Sequence, residues 1–232
     1  MHPSSARLGP WTAHRFGEGA FLLQLDHEPD LLRANALALG AARAIESAQL
    51  AGVTRVQPAL DSVLVCFDPL HHSGDALQAE LLRIAQAAPA WTAPHPRTII
   101  IPTRYDGEDL PEVAKALGLS VAEVVRLHTA QPYRVLMIGF APGFPYIGVL
   151  PPQLHIPRRA TPRAAVPAGS VAIAAGLTGV YPSRLPGGWH VIGSTTVALF
   201  DPSRNPPALL QPGDWVQFVA CTGEASSSDA CP

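Results

Sequence analysis

Lysine is almost missing from this chain. Its 232 residues hold 16 basic side chains, and Lys115 is the only one of them that is not arginine. An anion gripped by a side-chain cation therefore meets a planar arginine fork, unless Lys115 is the exception. Charge is sparse too, at 15% of residues, with a formal net charge of -2. That balance excludes the basic surface that a nucleic acid or an acidic membrane needs. No apolar run approaches the ~20 residues of a membrane-spanning helix. The start, Met1-His2-Pro3-Ser4-Ser5, lacks a charged stretch followed by an apolar one, so no secretory signal is read. The three cysteines, Cys66, Cys221 and Cys231, are too scattered for a disulfide framework or a metal site. His14, His27, His71-His72 and His95 lack ligand spacing, so no metal is assigned. The expectation is a soluble cytoplasmic protein with neither nucleic acid nor membrane as a partner.

Catalytic signatures are missing as well. There is no G-x-x-x-x-G-K-[ST] phosphate loop, no G-x-G-x-x-G after a strand, no H-E-x-x-H, no C-x-x-C and no G-x-S-x-G elbow. Glu and Lys are absent between Gln131 and Gly223, where the only carboxylates are Asp201 and Asp214. A self-contained hydrolase or kinase is hard to build from that inventory.

What is present changes along the chain. Residues 1–130 carry 10 basic and 14 acidic side chains, whereas residues 131–232 carry 6 and 4. The second stretch also holds more than half of the 25 prolines, which suit neither helices nor central strands. The first part reads as strands at Gly19–Leu25, Val53–Val56 and Ser62–Phe67. One helix is capped by Asp30 and carries Leu32, Ala36, Leu39, Ala42 and Ile45, and a second is opened by Ser73. Gly52 is expected to end the first of them in a left-handed residue. After prolines 89, 94 and 96 come a strand at Thr98–Ile101 and two short helices. Asp109 starts the first of these, Gly118 stops it, and a Ser120/Glu123 capping box starts the second. Strands follow at Tyr133–Ile138, Val171–Ala174, His190–Ile192, Val197–Leu199 and Trp215–Val219. Their Pro/Gly punctuation predicts a β-barrel. The fold class expected is an α+β domain over 1–95, then a mainly-β barrel domain over 96–223, then a disordered tail over 224–232.

Three segments carry chemistry. Gly139-Phe-Ala-Pro-Gly-Phe-Pro-Tyr-Ile-Gly148 brings Phe140, Phe144 and Tyr146 as aromatic walls, or as core-facing rings of a rigid corner. Arg158, Arg159 and Arg163 sit in a loop stiffened by Pro157, Pro162 and Pro167. Their forks suit a carboxylate or phosphate, or form an exposed basic loop. Thr178, Tyr181, Gly187, Gly188 and Trp189 lie in two turns that either line a polar-bottomed pocket or serve as hairpin chemistry. His128 closes a helix, where a C-terminal cation is favoured structurally. It and Thr178 are the candidate catalytic residues. Phe144, Tyr146, Arg158, Arg163, Tyr181, Gly187, Gly188 and Trp189 are the candidate substrate-binding ones.

These segments, in this order, resemble the family called allophanate hydrolase subunit one, or KipI-like, some of whose members serve in 5-oxoprolinases. The matching strings include Tyr133-Arg-Val, Gly139-Phe140, Pro142-Gly143-Phe144, Tyr146, Pro157-Arg158, Pro162-Arg163, Val166-Pro-Ala-Gly-Ser-Val-Ala-Ile173, Thr178-Gly-Val-Tyr-Pro182, Pro186-Gly-Gly-Trp189 and Leu199-Phe-Asp-Pro202. Leu177 departs from a usual Gln, and Ser194 from a frequent Arg. The resemblance implies that the second domain is a cyclophilin-like barrel. It implies a non-autonomous enzyme subunit, working with A-like and C-like companions that open 5-oxoproline to glutamate using ATP, bound mainly by a partner. A KipI-like inhibitor of a sensor histidine kinase and a subunit of an allophanate/urea amidohydrolase are the alternatives. Prolyl isomerisation rests on fold analogy alone.

Overall fold

The computed structural model describes residues 5–71 and 74–221. Two compact units divide the chain, Met1–Thr92 and Ala93–Pro232. The expected tail over 224–232, Cys231 and the Ser73 helix start lie outside the described residues.

The first unit is a five-stranded antiparallel sheet with two helices on one face. Its strands are β1 (Ser5–Leu8), β2 (Trp11–Arg15), β3 (Ala20–Leu25), β4 (Val53–Pro58) and β5 (Ser62–Phe67), in spatial order β1-β2-β3-β5-β4. Phe21, Leu23 and Leu25 alternate inward with Val63, Val65 and Phe67 beside them. That row forms one core with Ala34, Ala38, Ala41 and Ile45 of α1 (Leu31–Ser47) and Leu77, Leu81 and Leu82 of α2 (Gly74–Ala87). The Asp30 carboxylate accepts the backbone N–H groups of Leu32 and Arg33, the cap that the sequence advertised. Gly52 does not end that helix. The helix stops at Ser47, and Gly52 (φ 74) turns the chain into β4 instead. Gly40 has a packing reason, since a Cβ there would collide with the Pro89 carbonyl.

The second unit winds a seven-stranded sheet nearly into a barrel. Its strands are β6 (Thr98–Thr103), β7 (Tyr133–Ile138), β8 (Pro145–Gly148), β10 (Ser170–Ala174), β11 (Leu177–Val180), β13 (His190–Ser194) and β14 (Trp215–Ala220). They run β13-β10-β11-β8-β7-β14-β6. The two edges meet at one bridge, where Arg104 and Ser194 exchange both backbone hydrogen bonds at 2.8 Å. A ribbon of β9 (Arg163–Val166) and β12 (Leu185–Gly187) stands apart from this sheet.

Helices α3 (Leu110–Leu117) and α4 (Val121–Thr129) supply Leu110, Val113, Ala114 and Val124 to the core. That core includes Tyr133, Val135, Ile147, Val171, Ile173, Ile192, Val216 and Phe218. Gly118 (φ 68) stops α3, and the Ser120/Glu123 capping box starts α4. Residues 197–199 form no strand. Leu199 is buried, but the proline-rich segment after it leaves only a Phe200–Ala208 bridge. No helix among the described residues is long and apolar enough to cross a membrane.

Candidate functional site

An aromatic layer lies outside the barrel sheet. Ile173 and Thr178 face the interior from paired positions on β10 and β11, so alternation turns Ala172 and Gly179 outward. Those two residues, small and paired with each other, leave room for rings. A Cβ on Gly179 would press on Phe144, Trp189 and the Pro145 carbonyl. Phe144 is the hub, 2% exposed. Its ring meets Tyr181 at 5.1 Å, Tyr146 at 5.2 Å, Phe140 at 5.5 Å and Trp189 at 5.7 Å, all edge to face. That is the geometry ring quadrupoles prefer.

Phe140 stands at the edge of this layer, 60% exposed, with its backbone left-handed at φ 68. A bulky residue held in that region is a genuine outlier. The Tyr181 hydroxyl is held by the Trp189 backbone N–H, while burial pushes the phenol's pKa up. Gly187 is required here, because a Cβ would collide with that hydroxyl.

The three arginines of the proline-bounded loop separate sharply. Asp109, 2% exposed, accepts Arg159 Nη1 at 2.7 Å and both Arg163 Nη1 and Nη2 at 2.9 and 2.7 Å. It also accepts the Val191 backbone N–H at 2.7 Å. Burial pushes its pKa up, but the Arg163 and Val191 hydrogen bonds and the two guanidinium charges outweigh burial and hold it below the usual carboxylate range. Arg163 pairs with Glu108 too. The Arg163 fork is therefore filled by the protein's own carboxylates. Arg158 differs. It is exposed, makes no hydrogen bond or ion pair among the described residues, and lies close enough to Tyr146 and Tyr181 to lower both phenols electrostatically. The Tyr146 hydroxyl is likewise unpaired among the described residues, and burial raises its pKa.

His128 and Thr178 do meet, but inside the barrel, where both are 0% exposed. The Thr178 hydroxyl donates to the Ala172 carbonyl at 3.1 Å, so it accepts from His128 Nε2–H at 2.9 Å. That leaves Nδ1 with its lone pair to accept the Tyr105 O–H at 2.7 Å. The imidazole also packs 4.4 Å from the Phe218 ring, and burial pulls its pKa down to about 3. A neutral, fully bonded, solvent-free histidine is a strut, so the pair is placed with the core and not with the catalytic candidates.

The expected binding residues Phe144, Tyr146, Tyr181, Gly187, Trp189 and Arg158 come together. Gly188 flanks them, and its carbonyl accepts the Arg159 N–H at 2.8 Å. Arg163 is committed to Asp109, although its charge also lies close enough to Tyr181 to lower that phenol. The sequence reading missed Asp109 as the hub, taking it for a helix cap, although its side chain makes no cap hydrogen bond. The available signal was the excess of acid in residues 1–130 facing an excess of base afterwards.

Comparison with known proteins gives a consistent picture. The model of the carboxyltransferase domain, subdomain C and D, matches residues 11–210. The chain is 56% identical over 129 residues to the B-type subunit of 5-oxoprolinase from Escherichia coli O157:H7, a match spanning 54% of this chain and 59% of that one. It is 38% identical over 219 residues to the B-type subunit of 5-oxoprolinase from Bacillus subtilis (strain 168), covering 88% of this chain and 90% of that one. The K. lactis urea amidolyase structure superposes with a TM-score of 0.78 at 18% identity, over 94% of this chain and 15% of that one. That likeness is one of fold.

Proposed function

The chain belongs to the carboxyltransferase subdomain C and D family, among relatives named as B-type subunits of 5-oxoprolinase, and from that premise we propose that it is itself the B-type subunit of a multi-component 5-oxoprolinase. Its two compact units are then the α+β domain and a cyclophilin-like barrel domain. The complex works in the cytoplasm with A-like and C-like companions and opens the lactam of 5-oxoproline to L-glutamate. Water adds to the ring carbonyl, and the C–N bond breaks.

The observation that carries this reading is Arg158, the uncommitted cation beside the aromatic layer. In our reading its fork holds the substrate carboxylate, a charge-assisted pairing. Tyr146 and Trp189, with ring centroids 5.7 Å apart, wall the five-membered ring, and the Tyr146 hydroxyl bonds its polar edge. These groups bind and orient. The nucleophile's activation falls to a companion, because the histidine and threonine that suggested chemistry are locked in the core.

The residues of this chain do not fit a triphosphate. Arg97 is consumed by Asp214, Arg159 and Arg163 by Asp109, and Arg158 by the substrate carboxylate in this reading, while Lys115 lies in the last turn of α3. ATP is therefore assigned to a companion subunit.

The test is glutamate release from 5-oxoproline and ATP by the reconstituted subunits. Activity requires this chain, and Arg158→Gln raises the KM for 5-oxoproline at least tenfold without moving the chain's unfolding midpoint. Full activity in mixtures lacking this chain overturns the reading.

A further inference from the structure

Among the described residues Arg134 is a cation without a counter-charge. Its neighbours on β7, Tyr133 and Val135, point into the barrel core, so Arg134 faces outward. Strand registers align Leu177, Gly148, Arg134, Trp215 and Thr98 in one row across β11, β8, β7, β14 and β6 on that outer face. Gly148 contributes no side chain to the row, and a Cβ there would collide with Leu177. Along β6 the next outward residue is Ile100, 55% exposed. Trp215 is half-buried.

Within this setting the Arg134 guanidinium is half-covered. Its Nη2 is buried with no hydrogen-bond partner, and none of its donors bonds a described residue. Burial pulls its pKa down, with no opposing carboxylate to hold it up. Arg97, Arg159 and Arg163 of the same unit are paired, the first with Asp214 and the other two with Asp109, and Arg158 and Arg184, which have no partner among the described residues, are exposed. A partly desolvated, unpaired guanidinium costs the isolated fold stability and returns nothing to it.

We propose that the outer face of the barrel sheet around Arg134 is the surface that docks a companion subunit, with a carboxylate side chain of that subunit closing onto the Arg134 guanidinium. The inference rests on the multi-subunit reading above. Charge complementarity selects the occupant, since the missing group is an anion that can enter a half-covered site. The setting selects a protein as its bearer. An arginine and a tryptophan amid Leu177 and an exposed isoleucine, on the broad face of a sheet, have the composition of an interface centre.

The experiment measures equilibrium binding of the full chain to the purified companion subunits, together with urea unfolding of the chain alone. Arg134→Met leaves the unfolding midpoint unchanged or raises it, because the unpaired cation is removed. The same variant weakens binding at least tenfold, and Arg134→Glu weakens it further. Arg158→Gln binds the companions like wild type. If wild type binds and Arg134→Met and Arg134→Glu bind equally well, the docking inference fails while the subunit reading stands. If Arg134→Met lowers the midpoint, Arg134 serves the fold and the inference also fails. If wild type itself binds no companion, the subunit reading falls first and takes the docking surface with it.

Discussion

Acidifying the protein from pH 7 to pH 5 should cost the barrel unit about 2 kcal/mol at His128 alone. Complete burial pulls the folded-state pKa of His128 down to about 3, against 6.5 for an ordinary histidine. Because the folded pKa is depressed, protons bind the unfolded chain first. The contribution of neutral His128 is therefore full above about pH 6.5 and is lost as pH falls toward 3. Each pH unit inside that window removes about 1.4 kcal/mol, and at pH 5 the unfolded imidazole is already almost wholly protonated. No compensating partner waits in the fold. Thr178 already donates to Ala172, and Tyr105 donates to Nδ1, so a second ring proton would face a hydroxyl hydrogen.

The assay is amide hydrogen exchange of β7 and β14, which reports the opening free energy of this unit, at intervals from pH 7 to pH 4.5. His128→Gln serves as the reference. That variant is less stable at pH 7, but its stability falls less steeply below pH 6.5, by close to one proton's slope. The eight remaining histidines titrate in both proteins and cancel in the difference. Equal slopes for wild type and His128→Gln would refute the argument.

Asp109→Asn should destabilise the second unit by about 3 kcal/mol or more in urea titrations, because two half-buried guanidiniums lose their shared anion. The depressed Asp109 pKa sets a second acid limb, since its stabilisation is present above about pH 4 and lost as pH falls through the folded value. Ala175→Asn should raise the thermal midpoint, with a gain of about 0.5–1 kcal/mol. Ala175 (φ 50) and Gly176 (φ 76) form the two-residue turn between β10 and β11, and a type I′ turn favours Asn-Gly over Ala-Gly. A lower midpoint would contradict this account of the turn.

Strands with one wet face were legible in the sequence. In β3 and β5 the buried residues alternate with half-exposed ones, as a period of two demands. β11 was not legible: all four of its residues are buried, Leu177 and Gly179 included, so Leu-Thr-Gly-Val reads as a turn. The cause is the aromatic layer, which dries the outer face of a strand whose inner face already lines the core. The layer's ring residues could be named in advance, because they cluster in two glycine-rich segments. Their ranking against the arginines could not, because it depends on contacts across 50 to 54 positions of chain.

Arg158, Arg159 and Arg163 share one loop and one chemistry, and nothing in their spacing says which is free. Acid-base stoichiometry decides it. The stretch from Gln131 to Gly223 has two carboxylates of its own, and Asp214 is spent on Arg97. Asp201 bonds Ser203 and lies near Arg204. The loop must borrow Asp109 from the segment before α3. One carboxylate has two oxygens, and these accept from Arg159, Arg163 and a backbone N–H together, which leaves no lone pair well placed for a third guanidinium. Arg158 is left over for a ligand by that arithmetic. Arg134, on β7 and equally short of acid, is left over for a partner. The scarcity of carboxylate that argued against a self-sufficient enzyme is thus the same scarcity that leaves Arg158 and Arg134 open to groups from outside the chain.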